Sequence, residues 1–309
     1  MSGIADAPEA GMVCGLIVPG LPQPLLTPDA CEDYRRIADG FAEARQVIHA
    51  SGADRIIYYS TMWPSVIGHQ VQARREPEWV HVDELFHDLG SIPYRFQVDA
   101  DLAHGLVRHM RVRGLQARTV DYHGFPIDTG TVVANKLLNG DNALPITVLS
   151  SNVYSDRAET VVHGKAVRDA VIEGGHRAAI VVVGTLSNRL FTDWIDPADD
   201  HVHSLKDDEW NRKMLELLGD GRLEDTAQLS REIHRQIRVP KVVNFKPMWW
   251  LSSVMGQHND YDGRVHAYGA LHGTGSAVVS LVPSEEGIGL KEFDEDDVEM
   301  FQGDREVLA

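Results

Sequence analysis

Histidine is the residue type that first raises the question of a reactive site, because imidazole is both a general base near neutral pH and a metal ligand. The chain has 15 histidines among its 309 residues. His201 and His203 lie beside Asp199 and Asp200, and this group could attract a metal ion. The composition favours the simpler interpretation, which is a solvated loop ahead of a helix.

A second set of candidates combines aromatic rings with hydrogen-bonding groups, as pockets for small aromatic molecules do. Its members are Tyr59, Trp63, Tyr122, His123 and Asp128. The first two lie near the end of a predicted strand, and the other three surround a segment rich in glycine and proline. A functional interpretation is that these five side chains line one pocket, whose contiguity the sequence alone does not establish.

Two polar residues have simpler structural explanations. Asp128 precedes an apolar helical stretch, where its carboxylate would cap free backbone N–H groups. His69 is predicted to be a surface or hydrogen-bonded histidine rather than a metal ligand.

Trp249 and Trp250 are predicted to belong to a helix core, with an interface role as the alternative. The chain has no evident Ser/His/Asp nucleophile motif, phosphate-binding loop or dinucleotide fingerprint.

Short apolar runs of the buried-strand type alternate with amphipathic stretches along the chain. The predicted strands are Val13–Val18, Arg55–Ser60, Leu144–Leu149, Ala178–Val183 and Ser276–Leu281. Because open α/β sheets bind ligands beyond the carboxyl ends of their strands, the segments after the first four strands are the places to look for a site. The first two strands and the helix between them predict a parallel pair with a right-handed crossover.

Helix signals fill the gaps between these strands. The predicted starts are Thr27 followed by Pro28, Asp99, and the acidic pair Asp207 and Asp208. A further helix carries five apolar residues, from Val161 to Val171, and ends at Gly174 and Gly175. The pattern predicts an α/β fold: a single α/β/α sandwich domain over residues 1–281, with a central, largely parallel or mixed sheet. Residues 282–309 are predicted to form an acidic C-terminal tail.

Four segments carry a family resemblance: Pro19-Gly20, Met62-Trp63, Leu186-Ser187-Asn188 and Val242-Val243-Asn244. They resemble segments of the class III extradiol ring-cleavage dioxygenases, the superfamily typified by the catalytic subunit of protocatechuate 4,5-dioxygenase. There the first two segments read Pro-His and His-Trp. A late glutamate completes a two-histidine, one-carboxylate Fe(II) site, and a histidine after Leu-Ser acts as acid and base.

The resemblance implies that this chain has lost those functions. Gly20 and Met62 replace the two histidine ligands, and Asn188 replaces the acid/base histidine. Val242 or Val243 falls where the glutamate is expected. The resemblance therefore implies no catalytic residue and no metal in this chain, and the predicted aromatic pocket would be vestigial.

Five further segments are similar to a subunit type of this family that lacks the metal site and pairs with a homologous catalytic chain. They are Tyr58–Thr61, Val80–Glu84, Gly124–Thr131, Asp208–Arg212 and His266–Gly269. This similarity implies a non-catalytic subunit of a heteromeric dioxygenase that cleaves an aminophenol- or catechol-type ring. The partner chain would hold the Fe(II), and this chain would stabilise the partner chain.

Two alternatives remain open from the sequence. One is a divergent Fe(II) dioxygenase whose ligands have moved, for example to His69, His123 or the His201 and His203 loop. The other is a stand-alone protein that binds a small aromatic molecule in the vestigial pocket.

Composition narrows the partners. The net charge of −17 argues against nucleic acid, whose phosphates require clustered Lys and Arg. No apolar run approaches the ~20 residues of a membrane span, and the first ten residues lack the basic start of a secretion signal. Only Cys14 and Cys31 are present, which predicts a cytoplasmic protein without a disulfide framework. Within the acidic tail, Phe293, Met300 and Phe301 could anchor on a neighbouring subunit; a solvated tail is the simpler interpretation.

Overall fold

An eight-stranded mixed sheet divides the fold into two helical layers. The computed structural model describes residues 10–237, 243 and 245–285. The strands are β1 Gly11–Val18, β2 Arg55–Ser65, β3 His69–Gln72, β4 Glu78–His81, β5 Ile92–Arg95, β6 Ala117–Val120, β7 Ile146–Asn152, β8 Arg177–Val183, β9 Tyr261–Leu271 and β10 Thr274–Pro283. The helices are α1 Gln23–Leu26, α2 Glu32–Ala50, α3 Ala100–Val112, α4 Thr129–Leu138, α5 Arg157–Glu173, α6 Leu205–Gly219, α7 Leu223–Gln236 and α8 Lys246–Met255.

The strand order is β6-β3-β7-β2-β8-β1-β10-β9, and β4 and β5 form a separate antiparallel pair. β8 runs parallel to both β1 and β2, and β7 runs parallel to β2. The carboxyl ends of β1, β2, β7 and β8 therefore meet at one edge of the sheet. The expected α/β/α sandwich with a largely parallel or mixed sheet is confirmed.

The two faces of the sheet bury different cores. Helices α3, α5, α6, α7 and α8 pack on one face, and α2, α4 and the β5 strand pack on the other. Side chains of β2 alternate between these cores: Ile57 and Tyr59 belong to the first, and Ile56 and Tyr58 to the second. This alternation follows from the two-residue period of a strand.

Two predictions about the first β-α-β unit were wrong. β1 and β2 run in the same direction, as predicted, but β8 lies between them, so they do not form a pair. Ala178–Val183 is fully buried, and a strand apolar on both faces is most stable in the middle of a sheet. Helix α2 begins at Glu32 rather than after Thr27, because Pro28–Ala30 forms a separate short 3₁₀ turn.

Several local signals were confirmed. Asp99 Oδ1 accepts a hydrogen bond from Leu102 N (2.9 Å) and caps α3. Helix α6 begins slightly earlier than predicted, because the hydroxyl of Ser204 accepts a bond from Asp207 N (3.1 Å). Strand β10 extends two residues beyond the predicted domain end, to Pro283. From position 286 onwards the predicted tail, including its three apolar anchors, lies outside the described residues. No helix in the described part of the chain is both long and apolar enough to cross a membrane.

Candidate functional site

The sheet brings two of the four family positions together. Gly20 lies two residues beyond the end of β1, and Met62 lies in the last part of β2. The pairing of β2 with β7 shifts register between Ser60 and Pro64, which releases Met62 and its neighbours from regular sheet geometry. Met62 is therefore free to turn toward Gly20.

The Met62 side chain fills the space where the resemblance predicts a metal centre. A Cβ atom on Gly20 would lie 2.5 Å from Met62 Sδ, 2.6 Å from Gly130 Cα and 2.7 Å from Val183 Cγ1. A Cβ atom on Gly130 would likewise lie 2.8 Å from Met62 Sδ. All these separations are far shorter than van der Waals contact. The packing leaves no room for a histidine at position 20, so the residues present do not fit the family's iron.

At the other two family positions, the described residues Asn188 and Val243 have contacts of their own. Asn188 Oδ1 accepts a hydrogen bond from Leu190 N (2.7 Å), which closes a local turn after β8. Val242 falls outside the described residues. Val243 is a partly buried turn residue whose side chain packs against the core on the face of the sheet that α8 covers. Neither Asn188 nor Val243 can exchange a proton with a ligand.

A cleft of about 710 Å³ opens beside Met62. Trp63 and Phe125 form an aromatic wall, with ring centroids 5.7 Å apart and planes tilted by 54°. Asp128 also lines the cleft and at the same time caps α4, because its Oδ1 accepts from Thr131 N (3.0 Å) and from Ser60 Oγ (2.7 Å). Asp128 therefore serves both as a helix cap and as a residue of the cleft lining.

The cleft also contains a hydrogen-bonded chain that sequence reasoning missed. His81 Nε2 lies 2.5 Å from Thr129 Oγ1, and that hydroxyl donates to Asp83 Oδ2 (2.7 Å). With the Thr129 proton directed at Asp83, His81 Nε2 must act as the donor to Thr129. The hydroxyl lies between the base and the acid, so this order differs from a Ser-His-Asp triad, in which the histidine is central.

Three residues predicted for the pocket are placed elsewhere by the structure. Tyr59 faces the opposite layer, where its hydroxyl donates to Ser151 Oγ (3.0 Å) and its ring stacks on Trp250 at 4.7 Å. Burial raises the pKa of the Tyr59 hydroxyl far above its usual value. Tyr122 is 66% exposed and His123 is also exposed, and neither lines the cleft. Of the five residues, the structure brings Trp63 and Asp128 together.

The remaining histidine candidates are not brought together either. His201 Nδ1 lies 2.7 Å from the carbonyl oxygen of Asp199, and the His203 ring packs on Phe191 with centroids 4.7 Å apart. His69 is buried, with Nε2 2.9 Å from Glu159 Oε1, as the hydrogen-bonded interpretation predicted. Across the described ranges, no three His, Cys, Asp or Glu side chains converge as metal ligands would.

A buried polar network surrounds His69 on the α5 and α8 side of the sheet. Glu159 accepts from His69 and from Asn152 Nδ2 (3.1 Å), and Lys246 Nζ donates to the carbonyl oxygen of Asn152 (2.5 Å). The hydrogen bond from His69 lowers the pKa of Glu159, and burial lowers the pKa of Lys246 to about 8. These contacts join β3, β7, α5 and α8 at the carboxyl edge of the sheet. Because these groups are buried, we interpret them as contacts that hold the strands and helices together rather than as a substrate site.

Comparison with known proteins places this geometry in a family context. The family model described as the catalytic LigB subunit of aromatic ring-opening dioxygenase matches residues 21–279. The chain is 36% identical over 272 residues to the 2-aminophenol 1,6-dioxygenase alpha subunit of a Pseudomonas species, an alignment covering 87% of this chain and 98% of the relative. It is 25% identical over 286 residues to the beta subunit, covering 87% and 93%.

A solved structure shares the fold. It is the crystal structure of an uncharacterized protein from Escherichia coli K12, which aligns with a TM-score of 0.59 at 13% identity. The alignment covers 87% of this chain and 99% of that one. This likeness supports the architecture and carries no information about activity.

Proposed function

Because the chain belongs to the LigB family of aromatic ring-opening dioxygenases, the class III extradiol enzymes, we propose that it is the non-catalytic subunit of a heteromeric dioxygenase that cleaves an aminophenol- or catechol-type ring. The similarity to both subunits of 2-aminophenol 1,6-dioxygenase supports a heteromeric assembly. The alpha subunit shares more identical residues with this chain than the beta subunit does. The proposal includes the cytoplasmic location that the two-cysteine composition predicts.

The observation that carries the proposal is the thioether of Met62 between Gly20 and Gly130. A weakened enzyme would keep the shape of its metal site and lose a ligand. Here the volume itself is filled, since an added Cβ on Gly20 would approach Met62 Sδ, Gly130 Cα and Val183 Cγ1 to within 2.7 Å. The chemistry would therefore belong to a homologous partner that holds Fe(II).

In this proposal, the chain provides a rigid surface to which the catalytic partner binds. Its rigid sheet and its buried polar network hold the carboxyl edge in one conformation, and a rigid surface binds a partner with a smaller entropic cost. Because this chain would bind only the folded form of the partner, binding would raise the partner's free energy of unfolding.

Co-purification with a catalytic homologue tests the proposal. The probe is a chain of the same family from the same genome in which the Pro-His, His-Trp and Leu-Ser-His segments are intact. Each chain is purified anaerobically alone and as the pair, and iron content and ring cleavage of 2-aminophenol and catechol are measured. We expect iron and activity in the partner and the pair, with greater thermal stability in the pair. Stoichiometric iron together with ring cleavage by this chain alone would contradict the proposal.

A second candidate function, binding of a small aromatic molecule, is favoured by the cleft of about 710 Å³. Trp63 and Phe125 offer ring faces for stacking, and the carboxylates of Asp83 and Asp128 accept hydrogen bonds. A ligand-dependent rise in the melting temperature of the isolated chain would support it. Trp63→Ala should abolish that rise, whereas Trp194→Ala, at an exposed position away from the cleft lining, should leave it unchanged.

A further inference from the structure

Exposed apolar side chains are concentrated on one short excursion of the chain, residues 78–86, which we call the arm. Trp79, Val80, Val82 and Leu85 are between 48% and 59% exposed. Thirteen large hydrophobic residues of the described chain are at least 47% exposed, and four of them lie within these nine positions. A contiguous apolar surface of this kind marks an interaction site more often than scattered exposed residues do.

The arm is held in place by polar contacts at its base. The His81–Thr129–Asp83 chain of hydrogen bonds fastens it to the start of α4. Asp83 Oδ1 also accepts from Leu85 N (2.9 Å) and from Phe86 N (3.0 Å), which fixes the loop after β4. The buried ring of Phe86 packs edge-on against His272 with centroids 4.8 Å apart. The exposed apolar groups are thus presented in one conformation, which reduces the ordering cost of binding.

The charges around the arm are mainly negative. Glu78, Glu84 and Asp88 are exposed carboxylates. Arg95, an exposed cation beside them, lies 2.7 Å from Glu76 Oε2 and 4.0 Å from Glu78 Oε2, while Glu84 has no such cation beside it among the ion pairs of the described residues. The partly buried Lys136 lines a hollow of about 760 Å³ together with Trp79 and Val80, so one cation lies at the edge of the arm. A partner that covers the arm therefore needs an apolar centre and a basic rim.

This charge pattern disfavours a second copy of the same chain. A twofold contact would set the same patch on each copy against itself, so the carboxylates of the two arms would face one another. Like charges placed opposite each other suppress association. The whole chain adds to this repulsion, since its net charge is −17. The occupant is therefore a different chain.

We propose that the arm is the docking surface for the homologous catalytic chain, and that the facing surface of that chain is apolar at its centre and basic at its rim. The inference rests on the proposed heteromeric function. It goes beyond that function because it assigns the contact to Trp79, Val80, Val82 and Leu85.

The test compares arm variants with a matched control on the full chain. Leu85→Asp and Val80→Asp place a charge on the arm, and Leu205→Asp places the same charge at an 84% exposed position of α6. Affinity for the intact-site homologue from the same genome is measured by calorimetry. We expect each arm variant to raise the dissociation constant about 30-fold or more, as changes at interface hot spots do. The control should bind with the affinity of the wild type. Glu84→Lys should slow association and reduce its dependence on salt.

The possible outcomes distinguish a failure of the proposed docking surface from a failure of the proposed heteromeric function. Equal binding by wild type, arm variants and control would overturn the docking surface and leave the heteromeric function standing. Absence of binding by the wild-type chain would overturn the heteromeric function and the docking surface together. A wild-type homodimer that Leu85→Asp dissociates would overturn the assignment of the arm to a different chain. Urea unfolding of each variant verifies its fold, and all four positions are exposed enough to accept a polar group.

Discussion

The packing around Met62 makes a quantitative prediction about Gly20. Alanine at this position adds one methyl group, and its carbon would lie 2.5 Å from Met62 Sδ and 2.6 Å from Gly130 Cα. The second contact is with backbone, so a side-chain rotation cannot relieve both. The backbone of Gly20 lies outside the left-handed region, and alanine meets no conformational barrier there. Any loss of stability therefore measures packing alone.

The expected loss is about 2 kcal/mol. Overpacking a filled core by a methyl group costs about 3 kcal/mol when several neighbours resist at once. Replacing glycine with alanine recovers roughly 0.7 kcal/mol, because the unfolded chain loses conformational freedom. The remaining 2 kcal/mol corresponds to a change of about 30-fold in the unfolding equilibrium constant.

Urea unfolding, followed by circular dichroism, measures this change through the midpoint at constant slope. Gly105→Ala is the matched control, since a Cβ at this α3 position has no neighbour within 4 Å. The control should gain stability by up to about 1 kcal/mol from helix propensity. Adding Met62→Ala to Gly20→Ala should restore part of the lost stability, because the sulfur contact disappears and the contact with Gly130 Cα remains.

One result would refute the reasoning about the filled site. If Gly20→Ala unfolds at the wild-type urea concentration, the space beside Gly20 is open and a histidine side chain could be accommodated there. The Met62 thioether would then not fill the metal site that the family resemblance predicts, whatever the result for Gly105→Ala.

Three further predictions concern the polar groups. Lys246 has a pKa near 8 in the folded chain, below its usual value of 10.5, so the unfolded chain holds one more proton between these values. The free energy of unfolding should therefore rise by up to about 1.4 kcal/mol per pH unit in that window relative to Lys246→Met, as urea titrations at several pH values would show. The lowered pKa of Glu159 contributes stability above about pH 4.5 that is lost on acidification. Glu159→Gln should therefore have a flatter acid limb in thermal unfolding, with His69 still hydrogen-bonded. Asp128→Ala should cost about 1–2 kcal/mol through the lost helix cap and the freed Ser60 hydroxyl, whereas Asp128→Asn should retain most of the stability.

Local patterns predicted those elements whose formation depends on neighbours in sequence. The caps at Asp99 and Asp128 act on N–H groups three residues away, so the residue types alone reveal them. The strand β9 was missed, because charged and small residues interrupt its apolar pattern. The position of β8 between β1 and β2 also could not be read locally, since strand order depends on contacts between segments more than a hundred residues apart.

The candidate site divides in the same way. Trp63 and Asp128 were predicted to share a pocket and do so. Tyr59 does not join them, because the alternation along β2 directs its ring to the opposite face, where Trp250 covers it. The partner of His69 could not be identified from sequence, because Glu159 lies 90 residues away on another element.

By itself the sequence determined that no imidazole is available at positions 20, 62 and 188, because this depends on residue type alone. It also determined the alternation of strands and helices, which depends on the local period of apolar residues. Only the tertiary structure decided that the Met62 thioether occupies the space between Gly20 and Gly130, and that four apolar side chains of the arm remain exposed. Both results depend on how distant segments pack against each other after the sheet has assembled, and no local pattern encodes that packing.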